Sequence, residues 1–163
     1  MKQITFILAI LFTINASSAA AQASGELDPV FEAYFSIKDA LVKSDAATAT
    51  GIGLLNAIER VKTDKLSAAE RDAWTKALPG LTAPANAIAG TRDLEKQRVQ
   101  LAKLSEALYP VAKAAKPGLI YYQHCPMYLN GKGANWLSRD KAIKNPFYGT
   151  RMLTCGSTKE EIK

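Results

Sequence analysis

Two short runs near the end of the chain concentrate its soft ligands: His124-Cys125-Pro126-Met127, and later Met152-Leu153-Thr154-Cys155-Gly156. Between them they hold both cysteines, the single histidine and two of the three methionines; the third methionine is Met1. Thiolate and thioether sulfur together select Cu(I) or its soft analogue Ag(I) over zinc, which prefers cysteine, histidine and carboxylate. Methionine also ligates without losing a proton, so its share of such a site survives in acid, whereas the thiols and the imidazole must first be deprotonated.

Local geometry orders these candidates. Pro126 disfavours the helical region for Cys125, which is therefore expected to be extended. In an extended chain His124 and Cys125 point to opposite sides, while Cys125 and Met127 share one. Met152 and Cys155 converge only if a turn or bulge interrupts their stretch. The expected metal set is Cys125, Met127, Met152 and Cys155, with His124 its outlying member. A competing chemistry is a Cys125–Cys155 disulfide, whose loop of about thirty residues would stabilise the fold by roughly 3 to 4 kcal/mol in the chain-entropy model. Cystine formation leaves the two neighbouring methionines without a role, although each also suits a gap in an apolar seam.

The compartment bears on both chemistries. Residues 1–21 read as a secretory signal: Lys2, the apolar stretch Ile4 to Ile14, then Ala19-Ala20-Ala21 before Gln22. An apolar core of about eleven residues falls short of the roughly twenty that a membrane helix needs, so residues 22–163 are expected to be periplasmic, without membrane insertion. Loss of Lys2 takes the net charge from +6 to about +5, a modest basic excess. Lys38, Lys43, Arg60, Lys62, Lys76, Arg92, Lys103 and Lys113 are scattered rather than clustered, which argues against a nucleic-acid binder. No enzyme is expected either. Adjacent His124 and Cys125 diverge, where a nucleophile and its base normally come from separate segments.

The positioning elements are mostly helical. Asp28-Pro29 opens a helix to about Lys43 carrying Val30, Phe31, Tyr34, Phe35, Ile37 and Leu41 at threes and fours. Ser44-Asp45 predicts the next cap, before Ile52, Leu55, Ile58 and Val61, and Gly51 and Gly53 offer a neighbour close approach. Ser67-Ala68-Ala69-Glu70 has capping-box spacing and predicts a short helix through Trp74 and Leu78, stopped by Pro79-Gly80. Leu94, Leu101, Leu104, Leu108 and Val111 form one stripe of a long helix ended by Lys116-Pro117-Gly118. The fold expected is mainly α: an up-and-down bundle of four to five helices in a single domain, 22–163. Tyr34, Trp74 and Tyr109 are read as its core. No inferred stripe offers a Glu-x-x-His pair, which excludes a buried di-iron centre.

Residues 119–156 read as a loop-rich segment with short β strands. Leu119 to Gln123 is the first strand, and Arg151 to Cys155 its expected partner. Between them come the Asn130-Gly131-Lys132-Gly133 turn, a short helix capped by Ser138 and the Asn145-Pro146 turn. If the cysteines only staple this segment, Tyr121, Tyr122, Trp136, Phe147 and Tyr148 become a surface for docking a protein partner.

Four stretches together, Ile120-Tyr121-Tyr122-Gln123-His124-Cys125-Pro126-Met127, Gly131-Lys132-Gly133-Ala134-Asn135-Trp136-Leu137-Ser138, Asn145-Pro146-Phe147-Tyr148-Gly149 and Met152-Leu153-Thr154-Cys155-Gly156, carry a resemblance. The chain resembles, from Pro29 to Gly156, an exported bacterial domain of unknown function found alone or fused to periplasmic adaptor (membrane-fusion) subunits of heavy-metal and copper efflux systems. The resemblance implies soft-metal handling outside the inner membrane, with an efflux adaptor or pump component as partner. It carries Cys125, Met127, Met152 and Cys155 over by matching motif. At the position of His124 the family also has aromatic residues.

Overall fold

The computed structural model describes residues 25–46 and 48–163; the expected export segment lies outside them. Four helices, α1 (Asp28–Val42), α2 (Ile52–Arg60), α3 (Ala68–Ala89) and α4 (Leu94–Ala115), precede three strands, β1 (Ile120–Cys125), β2 (Ala134–Ser138) and β3 (Ser157–Ile162). The protein is mainly α, with a small antiparallel sheet of order β2-β1-β3 at its C-terminal end.

The helices follow from their apolar stripes. Val30, Phe31, Tyr34, Phe35 and Leu41 of α1, Trp74, Leu81 and Ile88 of α3, and Leu101, Leu104, Leu108 and Val111 of α4 are buried together. Tyr109 is only partly buried, and its ring stacks on Tyr122. The capping box at Ser67 and Glu70 is formed, Ser67 Oγ accepting from the Glu70 N–H and the Glu70 carboxylate from the Ser67 N–H. A short connection joins α3 to α4, and the two pack along each other as a helical hairpin.

Pro79-Gly80 does not stop α3, which runs on to Ala89 with Pro79 and Pro84 inside it. Each proline costs one intrahelical bond, and packing against α4 outweighs that loss. Gly80 serves this packing, because a β-carbon there would lie 2.9 Å from the Ala107 Cβ of α4. Gly51 lets α2 approach α3 in the same way, its would-be β-carbon overlapping the Ala85 carbonyl, whereas Gly53 faces open space. Nor does Ser44-Asp45 cap α2. Asp45 instead closes a local turn, its carboxylate accepting from the Thr48 N–H and hydroxyl, and α2 begins only after Gly51.

The strand pairing differs from expectation in two places. The partner of β1 is not Arg151–Cys155, which forms a 3-10 turn and bends, but β2 on one side and β3 on the other. The helix expected at Ser138 is absent from the described residues there, since Ser138 ends β2 and Trp136 is its centre. Ser157 to Ile162 is mostly charged or polar and exposed, as suits an edge strand that must not recruit further strands.

The sheet lies between two layers. Tyr122, its partner Leu137 and its other partner Glu160 share one face, where the Tyr109 ring of α4 stacks on Tyr122 and the Tyr109 hydroxyl donates to Glu160. Gln123, Cys125 and Trp136 share the opposite face, crossed by residues 139–156. One buried hydroxyl relay ties sheet to helices: the Leu137 N–H donates to Tyr34 Oη (3.0 Å), Tyr34 to Ser105 Oγ (2.6 Å), and Ser105 to the Leu101 carbonyl (2.7 Å). Burial holds the Tyr34 hydroxyl far above the ordinary tyrosine range, so it stays protonated as this relay requires.

Candidate dithiol site

Cys125 is the last residue of β1 and has no exposed surface; it packs into the same cluster as Trp136, Phe147 and the helix stripes. Cys155 is half-buried at the end of the 145–155 loop. Their sulfurs are 3.9 Å apart, as two free thiols in contact, although thirty residues separate them in the chain. With metal–thiolate bonds of roughly 2.3 Å, that spacing subtends about 115° at a shared ion, between the tetrahedral and trigonal angles.

Cys155 is held by its neighbours rather than by regular structure. Its N–H donates to the Met152 carbonyl (3.1 Å), supplying the turn that its spacing from Met152 requires. Its own carbonyl accepts from Asn145 Nδ2 (2.8 Å). Buried Asn145 also accepts at Oδ1 from the Phe147 N–H (2.8 Å), and its N–H donates to the Leu153 carbonyl (2.7 Å), so one residue closes the whole loop. Behind it, buried Arg98 of α4 donates through Nε to the Pro146 carbonyl (3.0 Å) and through its other nitrogens to Glu95 and Ser44. Gly156 then turns the chain into β3 at φ +145, where a β-carbon would lie 2.7 Å from the His124 carbonyl oxygen and 2.9 Å from Trp136 Cη2. No side chain fits there.

Aromatic contacts lock this loop to the β1–β2 turn. Tyr128 stacks on Phe147 and meets Tyr148 edge-on, Trp136 meets Phe147 edge-on, and the Tyr148 hydroxyl donates to the Met127 carbonyl (3.1 Å). Trp136 and Phe147 are fully buried and Tyr121 nearly so, which removes them from any docking surface. The methionines lie outside: Met127 is 55 % exposed and Met152 38 %. Among the described residues six large hydrophobic side chains are exposed, and four of them, Met127, Leu129, Met152 and Leu153, flank the two cysteines.

His124 takes the other side of β1, opposite in register to Asn135, whose side-chain oxygen lies 2.8 Å from His124 Nδ1. The strand alternation thus separates its ring from the thiol pair. Among the described residues no three His, Cys, Asp or Glu side chains converge. The set zinc prefers is therefore not assembled among the described residues. The Cys155 thiol is pushed up from its ordinary range, first by burial and then by the neighbouring Cys125 sulfur. Asn145 and Arg98 were not expected here; Asn145-Pro146 reads locally as a turn, and the sequence around Arg98 carries no signal of its role.

These observations define a mainly helical protein whose last segment brings two thiols together beside exposed methionines. The chain belongs to the family described as "Protein of unknown function (DUF3347)", whose model matches residues 30–118. The match spans the helices and stops before β1, so the segment carrying the soft donors lies beyond it. No curated protein and no solved structure matches the chain. Among the described residues no helix is long and apolar enough to cross a membrane.

Proposed function

We propose that this protein is exported and captures a soft monovalent ion, Cu(I) or Ag(I), between Cys125 and Cys155, then passes it to a metal-efflux adaptor or pump component. The observation that carries the reading is the 3.9 Å approach of two free thiols from separate segments. Two thiolates and a thioether satisfy Cu(I), which accepts thioether sulfur where zinc seldom does. Met127 and Met152, exposed on the loops that flank the pair, supply the remaining thioether donors and the first contact for an arriving ion. The helices, arranged up and down, are the scaffold, and His124 stands outside the inner set. The chain's resemblance, on its C-terminal motifs, to domains fused to efflux adaptors supports the partner.

A competition titration against a chromogenic Cu(I) chelator tests the reading. Cys125→Ala and Cys155→Ala are expected to weaken Cu(I) binding by 100-fold or more, on the order of 3 kcal/mol at 1.4 kcal/mol per decade, and Met127→Ala by about tenfold. Unchanged affinity in all three variants would refute ion capture.

A further inference from the structure

The two thiols differ sharply in access, and the difference suits thiol–disulfide exchange better than a permanent staple. Cys125 is sealed in the core at the end of a paired strand. Cys155 is half-exposed, and Met152, Leu153 and Thr154 before it are exposed too. A disulfide bond is roughly 2.04 Å long, so the sulfurs at 3.9 Å must approach further before they join. The moving partner is Cys155, because Cys125 is fixed by β1 and by the packing around it, whereas a rotation of the Cys155 side chain leaves its Asn145 anchor in place.

We propose that Cys155 is the attacking thiol and Cys125 the resolving thiol of a reversible exchange with a small or protein disulfide, and that closure of the pair shuts the ion site. In the first step the Cys155 thiolate attacks one sulfur of the incoming disulfide. A Cys155 mixed disulfide forms, and the other half leaves as a thiolate. In the second, the Cys125 thiolate attacks Cys155 Sγ, forming the Cys125–Cys155 bond and expelling the second half. Two electrons pass from the pair to the incoming disulfide. The protons released by the two cysteines go to solvent and are taken up by the two departing thiolates. Excess thiol runs the sequence backwards. The exchange itself needs no metal. Its regulatory meaning rests on the ion-capture reading, since a closed pair has no thiolate left to ligate.

Oxidised glutathione is the probe, on the full chain, first with metal excluded. Reduced wild type is expected to lose two hydrogens and keep no adduct, while Cys125→Ala keeps one glutathione on Cys155. Cys155→Ala should gain its adduct about tenfold or more slowly, because its remaining thiol is buried. Brief alkylation of wild type followed by peptide mapping gives the same ranking of the two thiols without any substitution. A wild-type chain that holds glutathione without closing, or a Cys125 modified as fast as Cys155, would overturn the exchange. Preloading with buffered Cu(I) should slow closure about tenfold or more. Closure that proceeds at the same rate with Cu(I) present sinks ion capture and leaves the exchange standing. Tight Cu(I) binding by a reduced pair that never closes does the reverse.

Discussion

The helices and the C-terminal segment are stabilised by different means. From Asp28 to Ala115 the chain relies on repetition: stripes such as Leu101, Leu104, Leu108 and Val111 bury one face after another, and several residues share each contact. From Ile120 onward regular structure is sparse, and the fold depends on single polar pins: Tyr34 on Leu137, Gln123 on the Asp140 and Lys141 carbonyls, Arg98 on Pro146 and Asn145 on Cys155. The family model covers the repetitive part and ends before the pinned one, which holds the thiols. A scaffold built from many equivalent contacts tolerates change at any one of them. A site hung on a few hydrogen bonds does not.

The largest test asks whether the two regions are separable. A chain ending at Gly118 loses Trp136, Leu137, Phe147 and Ile162 from the common core and takes the Leu137 N–H away from the Tyr34 hydroxyl. Calorimetry should show no cooperative transition for it, and a sharp one would mean that the helices fold alone. Next in size is Asn145→Ala. It leaves the Phe147 N–H and the Cys155 carbonyl unpaired, an expected loss of about 2 to 3 kcal/mol in denaturant melts, with helix content in the native state unchanged. If the loss is as small as that of a surface substitution, the pins matter less than the aromatic contacts.

Tyr34→Phe sharpens the contrast at the join between the regions, removing the acceptor of the Leu137 N–H for about 1 to 2 kcal/mol. Hydrogen exchange should quicken at Leu137 more than in α4. The smallest effect concerns β3. Glu160 is held below its ordinary carboxylate range by the Tyr109 hydroxyl and then by Lys113. A depressed folded value means that this contribution is present above the ordinary pKa of 4.5 and is lost as pH falls through the lower folded one. Amide protection of β3 should therefore weaken in acid before that of α4 does, and equal weakening would deny the edge its separate anchor.

What the amino acids reveal tracks this division. The stripe from Leu94 to Val111 is legible because its information is local and repeated, and α4 spans Leu94–Ala115. Pro79-Gly80 misleads because the local signal for a stop is outweighed by a contact with Ala107, far along the chain. Strand partners are harder still. Arg151 to Cys155 looks more like a strand than Ser157 to Ile162, yet pairing with β1 depends on register and on Gly156, and the charged stretch takes the edge. The meeting of Cys125 with Cys155 is suggested by export and by there being two cysteines. The divergence of His124 follows from strand alternation alone. The roles of Asn145 and Arg98 were not legible, since nothing near either residue names the carbonyl it will hold.

Asn145 grips both ends of one loop, Phe147 at the start and Cys155 at the finish. The entropy of ordering that loop is therefore lost when the chain folds, not when the half-exposed sulfur meets its reactant. Immobilising a flexible side chain at a binding event costs roughly 0.5 to 1.5 kcal/mol, and this residue moves the equivalent cost of its loop upstream. The backbone at Cys155 is thus preorganised: its side chain can turn while the chain that carries it has little left to rearrange.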